Sequence, residues 1–268
     1  MNTKTDEFLY QQDGAVATLT INRPERHNTW TPTMGPRLEA LVRQCAADGS
    51  VRVIVITGAG PTFCGGAEIS VLQAAQASGA NPLAGRAPSN DDFEQRFSFL
   101  LGISKPIVCA LNGPAVGIGA VLPVFCDLRL ASGNARIGAL FVRRGLVAVH
   151  GMAWLLPRLI GTAHAMDLLM TGRMIDANDA LRMGLVSAVY SQESFQAKVA
   201  ARAAELATTV SSRATGIVKR QVYQAWRQTL AEAGHFADAE LLGCIASEDF
   251  REGIGHFVEK RAAAFTGR

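Results

Sequence analysis

The stretch Lys105-Pro106-Ile107-Val108-Cys109-Ala110-Leu111-Asn112-Gly113-Pro114-Ala115-Val116-Gly117-Ile118-Gly119 runs an apolar strand into a glycine-rich turn that opens a helix. The start of a helix aims backbone N–H groups that lack an intrahelical partner at whatever binds there. Glycines in such a turn let the main chain come close to a ligand. A phosphate loop would end in Gly-Lys-Ser/Thr, and a dinucleotide fingerprint would add a third glycine where Ala120-Val121-Leu122 follows Gly119, so neither nucleotide motif is present. An oxyanion or anion site is the expected product, although many α/β proteins carry a turn of this kind for packing alone.

A second glycine turn, Thr57-Gly58-Ala59-Gly60-Pro61-Thr62-Phe63-Cys64-Gly65-Gly66-Ala67-Glu68-Ile69, again follows an apolar, β-branched run, Val51 to Ile56. Two such turns can each deliver one amide to a common point. At this pair the chain resembles the crotonase superfamily, the enoyl-CoA hydratase/isomerase family. Phe63 to Ile69 is similar to its first oxyanion segment, and Lys105 to Gly119, continuing to Cys126-Asp127, is similar to its second. The resemblance goes on through Arg158-Leu159-Ile160-Gly161, Leu169-Met170-Thr171-Gly172, Ala180-Leu181-Arg182-Met183-Gly184-Leu185-Val186 and the C-terminal Ser247-Glu248-Asp249 to Arg261, so it covers nearly the whole chain.

A chain of 268 residues that is 49% apolar is large enough to bury a sizeable core, in one large or two small domains. The net charge is +3, with cations and anions interspersed and no basic stripe, which argues against a nucleic-acid partner. The polar N-terminus does not read as a secretory signal, and no apolar run reaches the roughly 18 to 20 residues of a membrane span, so a cytoplasmic protein is expected. Cys45, Cys64, Cys109, Cys126 and Cys244 are dispersed without Cys-x-x-Cys spacing; they read as small core residues, with no disulfide framework and no metal site.

Ala15 to Ile21 alternates as a strand, and a helix is expected from about Pro32 with Leu38, Leu41, Val42 and Cys45 on one side. Further strands are expected at Val51–Ile56, Ile107–Leu111, Leu128–Ala131, Ala135–Gly138 and Val186–Val189. The alternation with helices favours an α/β core. The resemblance narrows this to a crotonase-like spiral of repeated ββα units over 1–191, with a C-terminal helical oligomerisation region over 192–268. Between Ser70 and Asp92 the composition shifts to Ala, Gly, Ser, Asn and Pro, which reads as a mobile segment suited to a substrate lid or a plain surface loop. Near the C-terminus, Ser247 is placed to cap a helix whose first turn holds Glu248 and Asp249, and Phe250, Ile254, Phe257 and Phe265 lie near one face.

The resemblance implies an acyl-CoA thioester as partner, with no cofactor beyond that coenzyme A, and a homotrimer or dimer of trimers. Its thioester oxygen would sit between the backbone amides of Ala67 and Ile118, beside Gly65. Arg26, Phe257 and Lys260 match positions that approach the coenzyme, the last two from another subunit. Hydratases of the family use two glutamates; those positions fall on Val121 and Phe141 here, and a carboxylate used by some isomerases falls on Val149. None of these side chains moves a proton, so ordinary hydration is not expected. His150 is the neighbouring group with an ordinary pKa near neutrality; a core histidine bonded to backbone is its plainer reading. Glu68 is expected to serve the turn, Arg143 and Arg144 to be surface or subunit-contact residues with a carboxylate-binding role as the sharper alternative, and Trp154 to be core. Decarboxylation of a malonyl-type thioester, which needs no general base, and a non-catalytic acyl-CoA-binding or assembly protein are the rival readings.

Overall fold

Long β-branched runs and short glycine-bounded ones build two different layers. The computed structural model describes residues 6–79 and 91–268. In chain order its elements are β1 (Phe8–Asp13), β2 (Val16–Ile21), α1 (Met34–Ala47), β3 (Val53–Gly58), α2 (Ile69–Ser78), α3 (Phe99–Gly102), β4 (Ile107–Leu111), β5 (Ala115–Val116), α4 (Ile118–Val124), β6 (Leu128–Ser132) and β7 (Arg136–Gly138). They continue with α5 (Met152–Thr171), β8 (Ile175–Asp176), α6 (Ala177–Arg182), β9 (Ala188–Tyr190), α7 (Phe195–Thr208), α8 (Ser212–Ala225), α9 (Leu230–Ile245) and α10 (Glu248–Glu259).

The main sheet has the order β1-β2-β3-β4-β6-β9 and is parallel throughout except for the β1–β2 pair. Strands β3 and β4 are buried at every position, as parallel strands covered on both faces must be. One face rests on the large core. The other is covered by α7, whose Phe195, Val199, Ala203 and Ala207 pack on Val53, Val55, Val108, Ala110 and Leu130. Thus the helix that follows the 191/192 position lies directly on the sheet.

A second layer is made of short pieces: β5-β7-β8, plus single bridges Cys64 to Ala115 and Trp30 to Ala67. Each turn of the chain therefore lays one strand in the main sheet and one short segment in the second layer, and then enters a helix. β3, Cys64–Ala67 and α2 form one such turn; β4, β5 and α4 form the next; β6, β7 and α5 form a third. This is the expected ββα spiral, and its consequence is that α2 and α4 start side by side.

Several expectations need correction. Strand β1 lies in the segment read only as a polar terminus; its outer residues are exposed, so edge polarity hid it. Much of the segment read as mobile is helix α2, ended by Gly79 in a left-handed conformation, while 80–90 lies outside the described residues. Trp154 is 42% exposed rather than core: it stands edge-on to Trp226 at 5.4 Å with the Arg158 guanidinium 3.9 Å above its ring. Four cysteines are buried and free as expected, whereas Cys244 is half-buried on α9. Ser247 does cap α10, accepting from Phe250 N–H at 3.0 Å.

Besides the packing of α7 on the sheet, a buried polar cluster ties α8 to the spiral. Lys219 of α8 donates to the Asp127 carboxylate at 2.7 Å and to the Leu100 carbonyl at 2.8 Å. Asp127 also accepts from Ile107 N–H at 2.7 Å and from the Tyr223 hydroxyl at 3.0 Å. Burial pushes the Lys219 ammonium below its ordinary pKa, opposed by the neighbouring carboxylate. Among the described residues, no helix is long and apolar enough to cross a membrane.

Candidate active site

The two glycine turns are stitched together by main chain. Val116 N–H donates to the Cys64 carbonyl at 2.9 Å, and Cys64 N–H to the Pro114 carbonyl at 3.1 Å. Buried Asn112 adds a side-chain staple: its Nδ2 donates to the Gly60 carbonyl at 2.8 Å and its Oδ1 accepts from Gly58 N–H at 3.1 Å. Close approach is what the glycines permit. A Cβ on Gly119 would stand 2.7 Å from Cβ and 2.9 Å from Sγ of Cys64. Gly117, at φ 55°, takes a left-handed turn into α4 with its Cβ direction only 3.9 Å from the Gly66 Cα.

Beyond this junction the segments diverge, and each leaves an amide in the gap. Trp30 bridges the far edge of the first turn: its N–H donates to the Gly66 carbonyl at 2.7 Å, and its carbonyl accepts from Glu68 N–H at 3.1 Å. Extended backbone alternates sides, so Ala67 N–H, between those two bonds, faces away from Trp30. Ile118 N–H is at the first helical position of α4, where no intrahelical acceptor exists. Among the described residues neither amide has an acceptor. Gly65 is held by its own N–H on the His27 carbonyl at 2.9 Å, which sets it beside the turn of Pro24–Arg26.

Asn28, which the sequence reading passed over, fixes that entry. It is fully buried with a left-handed φ of 54°, and its Nδ2 donates to the Ala59 and Thr62 carbonyls at 2.9 and 2.6 Å. An Asn two residues after a charged turn is the signal that was available. Glu68 pairs with Arg23 at 3.1 Å, closing the start of α2 against the same entry.

Val121 is wholly buried, Phe141 is 8% exposed and Val149 is half-buried, all three within one apolar cluster. His150 stands at the end of that wall. Its ring meets Phe97 edge-on at 5.4 Å; Phe97 in turn meets Trp30 at 5.8 Å, and Trp30 bridges Ala67. Its Nε2 is buried with no partner among the described residues, so the reading of a histidine bonded to backbone through that nitrogen finds no support there. Burial, and secondarily the Arg96 charge, push its pKa down to about 4, which overturns the expectation of a group titrating near neutrality.

Arg26 is exposed beside the first turn; Phe257 is 79% exposed and Lys260 caps α10 in a left-handed conformation. Within one chain α10 packs on α9, so the structure brings Gly65, Ala67 and Ile118 together but not Phe257 or Lys260. Arg143 donates to the Thr171 carbonyl at 3.1 Å, and both it and Arg144 are exposed. Burial drives the Cys64 thiol up to about 12, making it an inert packing group between the turns.

Comparison with known proteins agrees with this geometry. The chain is 33% identical over 269 residues to 1,2-epoxyphenylacetyl-CoA isomerase of Escherichia coli, covering 98% of this chain and 99% of that relative. A crystal structure of a probable enoyl-CoA hydratase/isomerase from Mycobacterium abscessus is 32% identical with a TM-score of 0.87, covering 98% of this chain and 99% of that one. An enoyl-CoA hydratase structure from Bacillus anthracis is 25% identical with a TM-score of 0.85, covering 98% and 100%. The sequence model of the enoyl-CoA hydratase/isomerase family matches residues 11–268, and with that match the chain belongs to the enoyl-CoA hydratase/isomerase, or crotonase, family.

Proposed function

We propose that this crotonase-family enzyme binds an acyl-CoA thioester with its carbonyl oxygen between the amides of Ala67 and Ile118 and stabilises an enolate-like state there. The supporting observation is the pairing of the two turns, which leaves two unpartnered amides facing one gap. Fixed donors stabilise developing charge more than the neutral ground state, and one is typically worth about 2.7–4 kcal/mol. No cofactor beyond coenzyme A is needed for that chemistry. Arg26 and Gly65 border the coenzyme entry, while Phe257 and Lys260 reach it from a neighbouring subunit of a trimer or dimer of trimers. The helical region over 192–268 serves that assembly, and the spiral over 1–191 holds the site.

The acid–base apparatus departs from a hydratase. Val121, Phe141 and Val149 stand where the resemblance places carboxylates, and an apolar wall offers no group to orient or deprotonate a water for addition. His150, neutral at physiological pH, is the group left to accept a proton from bound substrate. Decarboxylation of a malonyl-type thioester is favoured as the second reading by the same apolar wall, which destabilises an ionised carboxylate in the ground state.

Calorimetry on the purified protein should show acyl-CoA binding well above that of NAD or ATP. Crotonyl-CoA hydration, followed by loss of the conjugated thioester absorbance, should be absent or very slow. Turnover on the order of 10 s⁻¹ or more would mean that the apolar wall is not the catalytic wall.

A further inference from the structure

Arg96 is a half-buried guanidinium that pairs with no carboxylate among the described residues. Its desolvation is uncompensated, and burial alone pushes its pKa below the ordinary arginine value. Residues 1–5 and 80–90, outside the described set, contain no Asp or Glu, so the chain has no acid there to supply. Arg129 shows the contrast. It is buried, yet it donates to the carbonyls of Leu185, Pro123 and Cys126.

The place of Arg96 is what gives its bare charge meaning. It stands over the first turn of α1, its Nε 3.8 Å from where a Gly35 Cβ would be, and close enough to His150 to act on the imidazole. Its chain neighbour Phe97 touches the rings of Trp30 and His150. Trp30 is only 3% exposed, and among the described residues its buried Nε1–H has no acceptor; the His150 Nε2 is in the same condition. A buried indole N–H without an acceptor is destabilising, because its lost hydration is not replaced. One cation and two orphaned polar atoms therefore surround Phe97, one ring contact from the Ala67 turn.

We infer that the acyl group of the substrate carries a carboxylate, bound by Arg96 with support from the Trp30 indole N–H, so that the protein takes CoA monothioesters of dicarboxylic acids. This rests on the acyl-CoA reading above and narrows its substrate class. Arg suits the task because its planar fork meets both oxygens of a carboxylate. An arriving anion also offsets the Arg96 charge felt by His150, so the bound substrate makes that imidazole a better proton acceptor.

The test is calorimetric binding of succinyl-, glutaryl- and adipyl-CoA to the full-length protein, each beside the unbranched monocarboxylic thioester of equal chain length. At one length or more, the dicarboxylic thioester should bind at least about tenfold tighter. That ratio should fall to about one in Arg96→Met, survive in part in Arg96→Lys, and shrink in Trp30→Phe, which keeps the ring. Because the ratio is measured within one protein sample, a loss of folded protein does not imitate the effect. Ratios at or below one at all three lengths in the wild type, or a preference that persists in Arg96→Met, overturn the inference while leaving acyl-CoA binding intact. Failure of every thioester to bind overturns the acyl-CoA reading, and this inference with it.

Discussion

His150 has a left-handed backbone, φ 56°, at a residue without glycine's freedom, followed by Gly151 at φ 75°. Such a conformation persists only where the surroundings hold it, and here the ring is wedged against Phe97. If it accepts the substrate proton, His150→Ala and His150→Gln should each lower turnover about 10²–10⁴-fold on whichever thioester is turned over, and near wild-type rates in both would make it structural. Its titration gives an independent check. A folded pKa near 4 lies below the ordinary 6.5, so the unfolded chain binds the proton more tightly. The stability this residue contributes is complete above about pH 6.5 and is lost as pH falls toward 4, with on the order of 3 kcal/mol at stake. Melting temperature should therefore fall between pH 7 and 4.5, and His150→Gln should flatten that slope. The sequence could name His150 as a candidate but not its burial, because the wall that desolvates it comes from Phe97, distant in the chain. Ala67 and Ile118 were legible for the opposite reason: their proposed role belongs to backbone position, which glycine spacing marks directly.

At the scale of elements, the Lys219–Asp127 pair ties α8 to the turn that enters β6 and, through Ile107 N–H, to the start of β4. A buried pair is costly to form, and far costlier to break from one side. Lys219→Met should lower unfolding free energy by about 3–5 kcal/mol, read from urea denaturation, because it strands the Asp127 carboxylate. Combining it with Asp127→Asn, which still accepts from Ile107 N–H, should recover part of that loss. Equal destabilisation by the single and double variants would show that packing of the lysine stem, not charge, is what matters. Asp127 lies in the family-like Cys126-Asp127 step, yet nothing in the sequence paired it with a lysine 92 positions away. Strand periodicity was readable where runs were long, as in β4, which matches its expected bounds. It failed for β5 and β8, two residues each, since alternation cannot be seen in so few positions.

For the whole molecule, the telling feature is α9, a helix of 16 residues with no buried position. A capping box of Thr229 and Glu232 starts it firmly, and yet Leu230 is 90%, Leu242 72% and Ile245 48% exposed. Val218 and Val222 of α8 and Ile254, Phe257 and Val258 of α10 extend the exposed apolar surface. An exposed apolar surface of this kind suits a contact with another protein, and further copies of the same chain are the proposed occupant. A closed trimer would also carry Phe257 and Lys260 of one copy toward the Gly65–Ala67 turn of the next, which a single chain does not do. Light scattering should therefore give a trimer or a dimer of trimers for the wild type, and Leu242→Glu, placing a charge in the contact, should shift it to smaller species. Assembly and binding are coupled in this scheme, so the same variant should bind acyl-CoA more weakly as it dissociates, while circular dichroism stays native. A wild-type chain that is monomeric at assay concentration and still binds acyl-CoA tightly would separate the two, and would leave the apolar helices with some other partner.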